Sequence, residues 1–378
     1  MKTKNSAVLP KGFTAAGISS GIKKSGKLDL ALFYSASPCV AAGMFTTNKV
    51  AAAPVVLCRK NLASGKRFHA VVANSGNANC FTFAAGLSDA KRMAHSAAAC
   101  LGVSDTSVFV GSTGIIGKRL PAQKVEQAMP ALAQSLSAAG IIDASRAIMT
   151  TDKFRKELTA QVTIGGKTVT VCGVAKGAGM ISPTMATMLS FVFTDAAIPQ
   201  AVLKKALKAS VSKSYNRITV DGCMSTNDTV ICLANGCAGN SPIKGGKGLA
   251  LFQQALDAVN LALAKLMVRD GEGASKFIEI TVRGAVSEDD ARKACLAIAN
   301  SNLFKTAVYG ENPNFGRIVQ AVGASGCRMD ERRLKVRMGP LTGKDVWVEA
   351  SLSMGKASCT VYASDLTPEY IKINAAYN

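Results

Sequence analysis

Between Val174 and Asp195 the chain passes from a glycine-broken loop, through a proline turn, into an apolar run rich in branched and aromatic residues. The loop is Lys176-Gly177-Ala178-Gly179 and the turn is centred on Pro183. The run from Met188 to Phe193 includes Leu189, Phe191, Val192 and Phe193, which leave little polar surface. A run so short, branched and aromatic predicts a buried strand. Thr187 stands at its mouth, directly after Ala186. A hydroxyl held there, behind a glycine loop, is in a position suited to a nucleophile. The ordinary reading of such a threonine is strand propensity or a local hydrogen bond, and the residues alone leave both open.

The chain has 378 residues, 48% of them hydrophobic, enough for two or three ordinary domains or one large α/β body with a smaller companion. No run of 18 or more apolar residues predicts a transmembrane helix. Met1 to Ser6 is basic with no apolar segment behind it, so it reads as neither a secretory signal nor a transit segment. The 45 Lys and Arg against 24 Asp and Glu give a formal charge of +21. The basic residues are scattered, as at Lys204-Lys205 and Arg328 to Arg337, and no zinc-knuckle, stacking-aromatic or recognition-helix pattern accompanies them. Charge is thus the only criterion for nucleic-acid binding that the chain meets.

Eleven cysteines lie scattered with no C-x-x-C, which points to reduced core thiols rather than a zinc or redox pair. The two histidines, His69 in a predicted strand and His95 in a predicted helix, read as packing or surface residues. A Ser-His-Asp triad or a histidine metal site is poorly supplied. A nucleophile that needs no histidine fits better, and an N-terminal threonine activated by its own α-amine is one such device.

Along the chain, Leu28 to Tyr34 and Val55 to Cys58 read as strands, as does Phe68 to Asn74. Ser88 to Leu101 reads as a helix capped by Ser88, and Pro121 to Ala138 as a helix that Pro130 should kink or split. Val108 onward is a strand delivering a Gly-Ser-Thr-Gly turn, whose backbone N–H groups and hydroxyl could line an oxyanion hole, although a plain turn is the commoner role. Leu158 to Ile164 and Lys167 to Ala175 form a predicted hairpin through Gly165-Gly166. Pro199 to Ser212 and Leu249 to Val268 are amphipathic helices. Ser287 caps a further helix with acids in its first turn, reaching Asn300. The C-terminal third is strand-rich, at Leu334 to Met338, Val346 to Leu352 and Ser358 to Ala363.

Several blocks carry a resemblance. They are A-G-M-F-T-T-N (Ala42 to Asn48), N-S-G-N-A-N (Asn74 to Asn79), S-T-G-I-I-G (Ser112 to Gly117) and I-M-T-T-D (Ile148 to Asp152). K-G-A-G-M-I-S-P-T-M-A-T-M-L follows from Lys176, then I-T-V-D-G-C-M-S-T-N-D-T-V from Ile218, D-G-E-G-A-S-K from Asp270 and Y-I-K-I-N-A-A-Y from Tyr370. Together they resemble the ornithine acetyltransferase family, the bifunctional glutamate N-acetyltransferases of arginine biosynthesis. Cys223, Asn312 and Phe315 depart from the family pattern, and a ligand-contacting Thr that ends the family's tail is missing after Asn378.

The resemblance implies an α/β (α+β) fold, with a layered α/β/β/α sandwich body and a smaller C-terminal α/β region from about residue 280. It implies self-cleavage between Ala186 and Thr187 into an alpha fragment, 1–186, and a beta fragment, 187–378, which stay together as a heterotetramer of two alpha and two beta chains. Thr187 becomes the acetyl-carrying nucleophile, and Thr113 and Gly114 stabilise the oxyanion. Thr150, Lys176, Thr187, Glu272 and Asn374 bind substrate; charge suggests a carboxylate for Lys176 and an ammonium for Glu272. The substrates are N-acetylornithine and glutamate, with acetyl-CoA as a candidate second donor. No cofactor, metal, nucleic acid or membrane is called for, and the expected location is the cytoplasm. Two other readings remain: an N-terminal-nucleophile amidase or peptidase that passes the acyl group to water, and a basic binding protein with no self-cleavage.

Overall fold

The computed structural model describes residues 1–182 and 188–376. Ala186 and Thr187 of the expected cleavage site, and Asn378 at the chain end, lie outside the described residues. The chain is a mixed α/β fold with two sheets, and it divides into two compact units.

Unit 1 comprises Met1–Gly177, Thr184–Asn216 and Met224–Ala264. Its strands are β1 (Lys2–Lys4), β2 (Phe13–Ile18), β3 (Leu30–Phe45), β4 (Phe68–Asn77), β5 (Val108–Ile115), β6 (Lys156–Ile164), β7 (Lys167–Lys176) and β8 (Leu189–Thr194). Thr229–Ala234 (β10) belongs with them, whereas the short β9 (Ile218–Thr219) pairs in unit 2. The pairing order is β1-β6-β7-β8-β10-β3-β4-β5, with β2 also on β3.

The long strand β3 serves two neighbourhoods. Its first half lies between β2 and β4, its pairing slips between Tyr34 and Cys39, and its second half pairs with β10. Phe33 of β3 and Phe13 of β2 then meet Phe191 and Phe193 of β8, with ring centroids 5.1 to 5.3 Å apart. These rings pack β8 on β2 and β3, and Ser190, the polar residue in the Met188 to Phe193 run, bonds the Tyr215 hydroxyl at 2.8 Å. The hairpin is as its glycines predict, with Ile164 opposite Lys167.

Helices α1 (Ala53–Ala63), α2 (Phe83–Leu101), α3 (Ala122–Gln134) and α4 (Ile141–Ala147) pack on the β2–β5 half. Helix α5 (Gln200–Lys213) packs against β3, and α6 (Gly246–Arg269) crosses β7, where Val259 and Leu263 fill the space a side chain at Gly173 would need.

Three local expectations are corrected. Val55 to Cys58 is helical, inside α1, because Pro54 opens a helix and a four-residue apolar run fits either state. Ser88 is interior to α2, whose cap position is Thr82. Gly86 in the first turn is required there: a Cβ would lie 2.0 Å from Thr82 Oγ1. Pro130 does not split α3, which runs on to Gln134 with Val125, Met129 and Leu132 all buried against the sheet half they cover.

Unit 2 comprises Ala178–Pro183, Arg217–Cys223 and Lys265–Asn378. Its sheet has the order β12-β13-β11-β14-β9, from β11 (Phe277–Ala285), β12 (Lys335–Met338), β13 (Asp345–Ser351) and β14 (Ala357–Ser364). Helices α7 (Glu288–Ala299), α8 (Asn302–Tyr309) and α9 (Phe315–Gly323) contribute to its core, and α10 (Pro368–Ala375) ends the described chain. Ser287 caps α7 as its sequence predicts, its hydroxyl accepting from the Asp290 N–H at 3.1 Å.

Candidate active site

In unit 1 the Ser-Thr-Gly segment, expected as a turn, is instead the last part of strand β5, which runs parallel to β4 with Gly76 opposite Gly114. Gly114 has φ +136°, and a Cβ there would lie 2.4 Å from the Gly76 carbonyl carbon. Only glycine allows the two strand ends to come this close. The N-S-G-N-A-N block that ends β4 is the brace for this strand end. Ser112 Oγ donates to Asn74 Oδ1 at 2.6 Å, and Asn74 Nδ2 donates to the Asn77 carbonyl at 2.9 Å. From the S-T-N-D-T block, Asn227 Nδ2 donates to the carbonyls of Ala78 and Ser112 at 2.6 and 2.8 Å. Three sequence blocks far apart in the chain thus fix one strand end.

Lys176 closes β7, buried, and its Nζ donates to Thr113 Oγ1 at 3.2 Å. Asp152 organises the other expected ligands of this unit. Its Oδ1 accepts from Lys156 Nζ at 2.6 Å and from the Gly177 N–H at 2.7 Å. Its Oδ2 accepts from the Thr150 N–H at 2.9 Å. Burial alone would raise the Asp152 carboxyl, but the charges of Lys176 and Lys156 and these hydrogen bonds overcome it and hold the group well below the usual carboxylate range. Unit 1 therefore brings Thr113, Gly114, Thr150 and Lys176 into one connected network.

Asp228 is the second carboxyl that the sequence did not single out. Its Oδ1 accepts from the N–H of Met188, the residue after Thr187, at 2.9 Å. Its carbonyl accepts from Thr46 of the A-G-M-F-T-T-N block at 3.0 Å. The side chain is fully buried and Oδ2 has no hydrogen-bond partner. Burial pushes this carboxyl well above its ordinary value, against the opposing hydrogen bond from the Met188 N–H.

In unit 2 the Asp-Gly-Glu-Gly turn follows α6. The Glu272 N–H donates to the Ala178 carbonyl at 2.8 Å, and the Glu272 carboxylate lies over Gly179, where a Cβ would be 2.2 Å from Oε2. Asn374 of α10 donates from Nδ2 to Glu272 Oε2 at 3.0 Å, so these two expected ligands are also joined. Asp221 holds the loop that precedes the expected cleavage site. It accepts from the Met180 and Ile181 N–H groups at 2.6 and 2.9 Å, and Tyr370 lies 3.3 Å from its Oδ2. At Cys223, where the sequence departs from the pattern it resembles, the exposed thiol stands in place of an acid. Its backbone N–H donates to Asp221, which carries the local negative charge. Asn312 and Phe315 flank a turn whose Asn314 N–H donates to the Asn312 carbonyl at 2.8 Å.

The histidines take no part. His69 bonds the Ser35 carbonyl and His95 pairs with Asp105 at the surface. Among the described residues no group of His, Cys, Asp and Glu could hold a metal ion, and no helix is long and apolar enough to cross a membrane. Asp152, Asn227 and Asp228 all sit inside recognisable blocks. The available signal was a carboxylate or amide beside a strand end, which acquires meaning only from its distant partners.

The ArgJ family model matches residues 14–342. The chain belongs to the ArgJ family. A protein of Symbiobacterium thermophilum named "Arginine biosynthesis bifunctional protein ArgJ" is 47% identical, over 97% of both chains. One of the same name from Geobacter sulfurreducens is 46% identical over 97% of this chain and 99% of its own. Among solved structures, the ornithine acetyltransferase of Mycobacterium tuberculosis, complexed with ornithine, is 35% identical over 50% of this chain and 99% of that chain, with a TM-score of 0.44. The ArgJ match spans all the joined motifs of unit 1.

Proposed function

We propose that this ArgJ-family chain is an acetyltransferase of arginine biosynthesis that moves the acetyl group of N2-acetylornithine to glutamate. The observation that carries the reading is the Lys176–Thr113 contact on the glycine-braced strand end, within a chain 47% identical to a protein named for arginine biosynthesis. The amidase reading shares the nucleophile and differs only in the acceptor. The binding-protein reading leaves this buried, fully braced strand end without a purpose.

The same hydroxyl works twice in the proposed mechanism. In the precursor, Thr187 Oγ attacks the Ala186 carbonyl carbon, the C–N bond breaks, and the Thr187 nitrogen takes up the proton lost by the hydroxyl. Water then hydrolyses the ester and leaves fragments 1–186 and 187–378. In the mature enzyme the freed α-amine, with an ordinary pKa of about 7.7–8.0, accepts the Oγ proton as Oγ attacks the acetyl carbonyl. Thr113 Oγ–H and the Gly114 N–H receive the negative charge of the tetrahedral intermediate. Ornithine leaves, and the amine of glutamate attacks the acetyl-threonine and departs as N-acetylglutamate. Lys176 pairs with the α-carboxylate common to both substrates, Thr150 contacts substrate from the Asp152 turn, and Glu272 and Asn374 receive an ammonium group.

The relatives are called bifunctional, and for this chain we take acetyl-CoA as the second acetyl donor to glutamate. The fragments are proposed to remain associated as two alpha and two beta chains, in the cytoplasm. Release of ornithine from N-acetylornithine tests the reading. It should require glutamate for turnover, whereas acetate release at the same rate without glutamate would favour the amidase.

A further inference from the structure

Lys23 belongs to none of the blocks above, yet its ammonium is built into the same network of unit 1. Its stem lies along Gly76, where a Cβ would come 3.1 Å from Lys23 Cγ, and Gly76 is the residue opposite Gly114. Nζ donates to the Leu28 carbonyl at 2.8 Å and to the Met149 carbonyl, just before Thr150, at 2.7 Å. An ammonium has three donors, so one remains.

Among the described residues no carboxylate forms an ion pair with it. Asp29 is committed elsewhere: Oδ1 accepts from the N–H and hydroxyl of Ser20, and Oδ2 accepts from the backbone N–H of Lys23 itself. Asp152 is held by Lys156, Gly177 and Thr150. A half-buried cation fixed by two carbonyls, with Asp29 and Asp152 acting on it only from a distance, gains from an anion that bonds it directly.

We propose that Lys23 is a specificity-determining residue that binds the side-chain carboxylate of the acceptor. The assignment rests on the acetyltransfer reading above. The acceptor, glutamate, carries a second carboxylate that the donor lacks, and Lys23 supplies a cation beyond the one needed for the α-carboxylate. Burial chiefly, opposed by Asp29 and reinforced by Lys176, draws the Lys23 ammonium down to about 8. A carboxylate arriving beside it offsets that burial and favours the charged form further.

The test compares glutamate with glutamine, its uncharged isostere, as acceptors for the acetyl-enzyme. Wild-type protein is first incubated with N-acetylornithine and the acetylated threonine fragment is confirmed by mass. If no acetyl-fragment forms, the acetyltransfer reading fails, and this proposal with it. Once it forms, wild type should favour glutamate over glutamine in kcat/KM. Lys23→Gln should lower kcat/KM for glutamate about tenfold or more, the scale of a lost charge-assisted hydrogen bond, and collapse the preference over glutamine. A residue that only clamped the two carbonyls would depress both acceptors alike and leave their ratio unchanged, which would overturn the proposal. So would a wild-type enzyme that accepts glutamate and glutamine equally, a measurement that stands even if the variant does not fold.

Discussion

Lys176 donates from Nζ to Thr113 Oγ1 across 3.2 Å, and both side chains are buried. A hydroxyl that accepts from an ammonium on one lone pair has its own hydrogen directed elsewhere. Lys176 therefore orients Thr113 as a donor, and its positive charge strengthens that donor. This pairing is what an oxyanion needs. Thr113→Val keeps the shape and removes the donor, so kcat for acetyl transfer should fall by roughly 10²–10³, as for loss of one oxyanion-hole donor elsewhere. Thr113→Ser should keep most of the rate. Steady-state kinetics of ornithine release checks both.

Asp152 neutralises the fully buried Lys156 and joins Thr150 to Gly177. Asp152→Asn leaves a buried ammonium without its carboxylate, at a cost of about 3–5 kcal/mol at pH 7. The folded-state pKa of Asp152 is depressed, so its contribution is present above the ordinary value near 3.9 and is lost as pH falls through the acid range. Thermal melts of variant and wild type should therefore be far apart at neutral pH, begin to approach one another only below about pH 4, and continue to do so well into the acid range.

Asp228 predicts the opposite sign. Its folded-state pKa is raised, so the wild-type protein loses stability relative to an uncharged residue as pH rises above the ordinary carboxylate value. Asp228→Asn keeps an oxygen for the Met188 N–H and needs no proton. The variant's melting temperature relative to wild type should rise between about pH 4 and pH 7. A fall over that range would mean that Asp228 is ionised in the folded protein.

How far the sequence reaches depends on the range over which a residue's partner lies. The Gly165-Gly166 hairpin, the Ser287 cap and the long amphipathic α6 are set by neighbours within a few residues, and each forms where its pattern predicts. Val55 to Cys58 fails because four apolar residues carry no period, and the proline that decides for helix stands just ahead of them. At the site, Thr113, Gly114, Thr150 and Lys176 were legible through their blocks, and the structure joins them. Asp152 and Asp228 were not, because Asp152 meets the Gly177 N–H 25 residues away and Asp228 meets the Met188 N–H 40 residues away. Lys23 was invisible for the same reason: its Met149 partner is 126 residues distant.

The account rests on Thr187 being both the scissile residue and the nucleophile. Its most direct test is the intact mass of the purified protein under denaturing conditions, beside a Thr187→Ala control. The account predicts two fragments, 1–186 and 187–378, for the wild-type chain and one uncut chain for the control. A single uncut wild-type chain that is folded and transfers acetyl would contradict it.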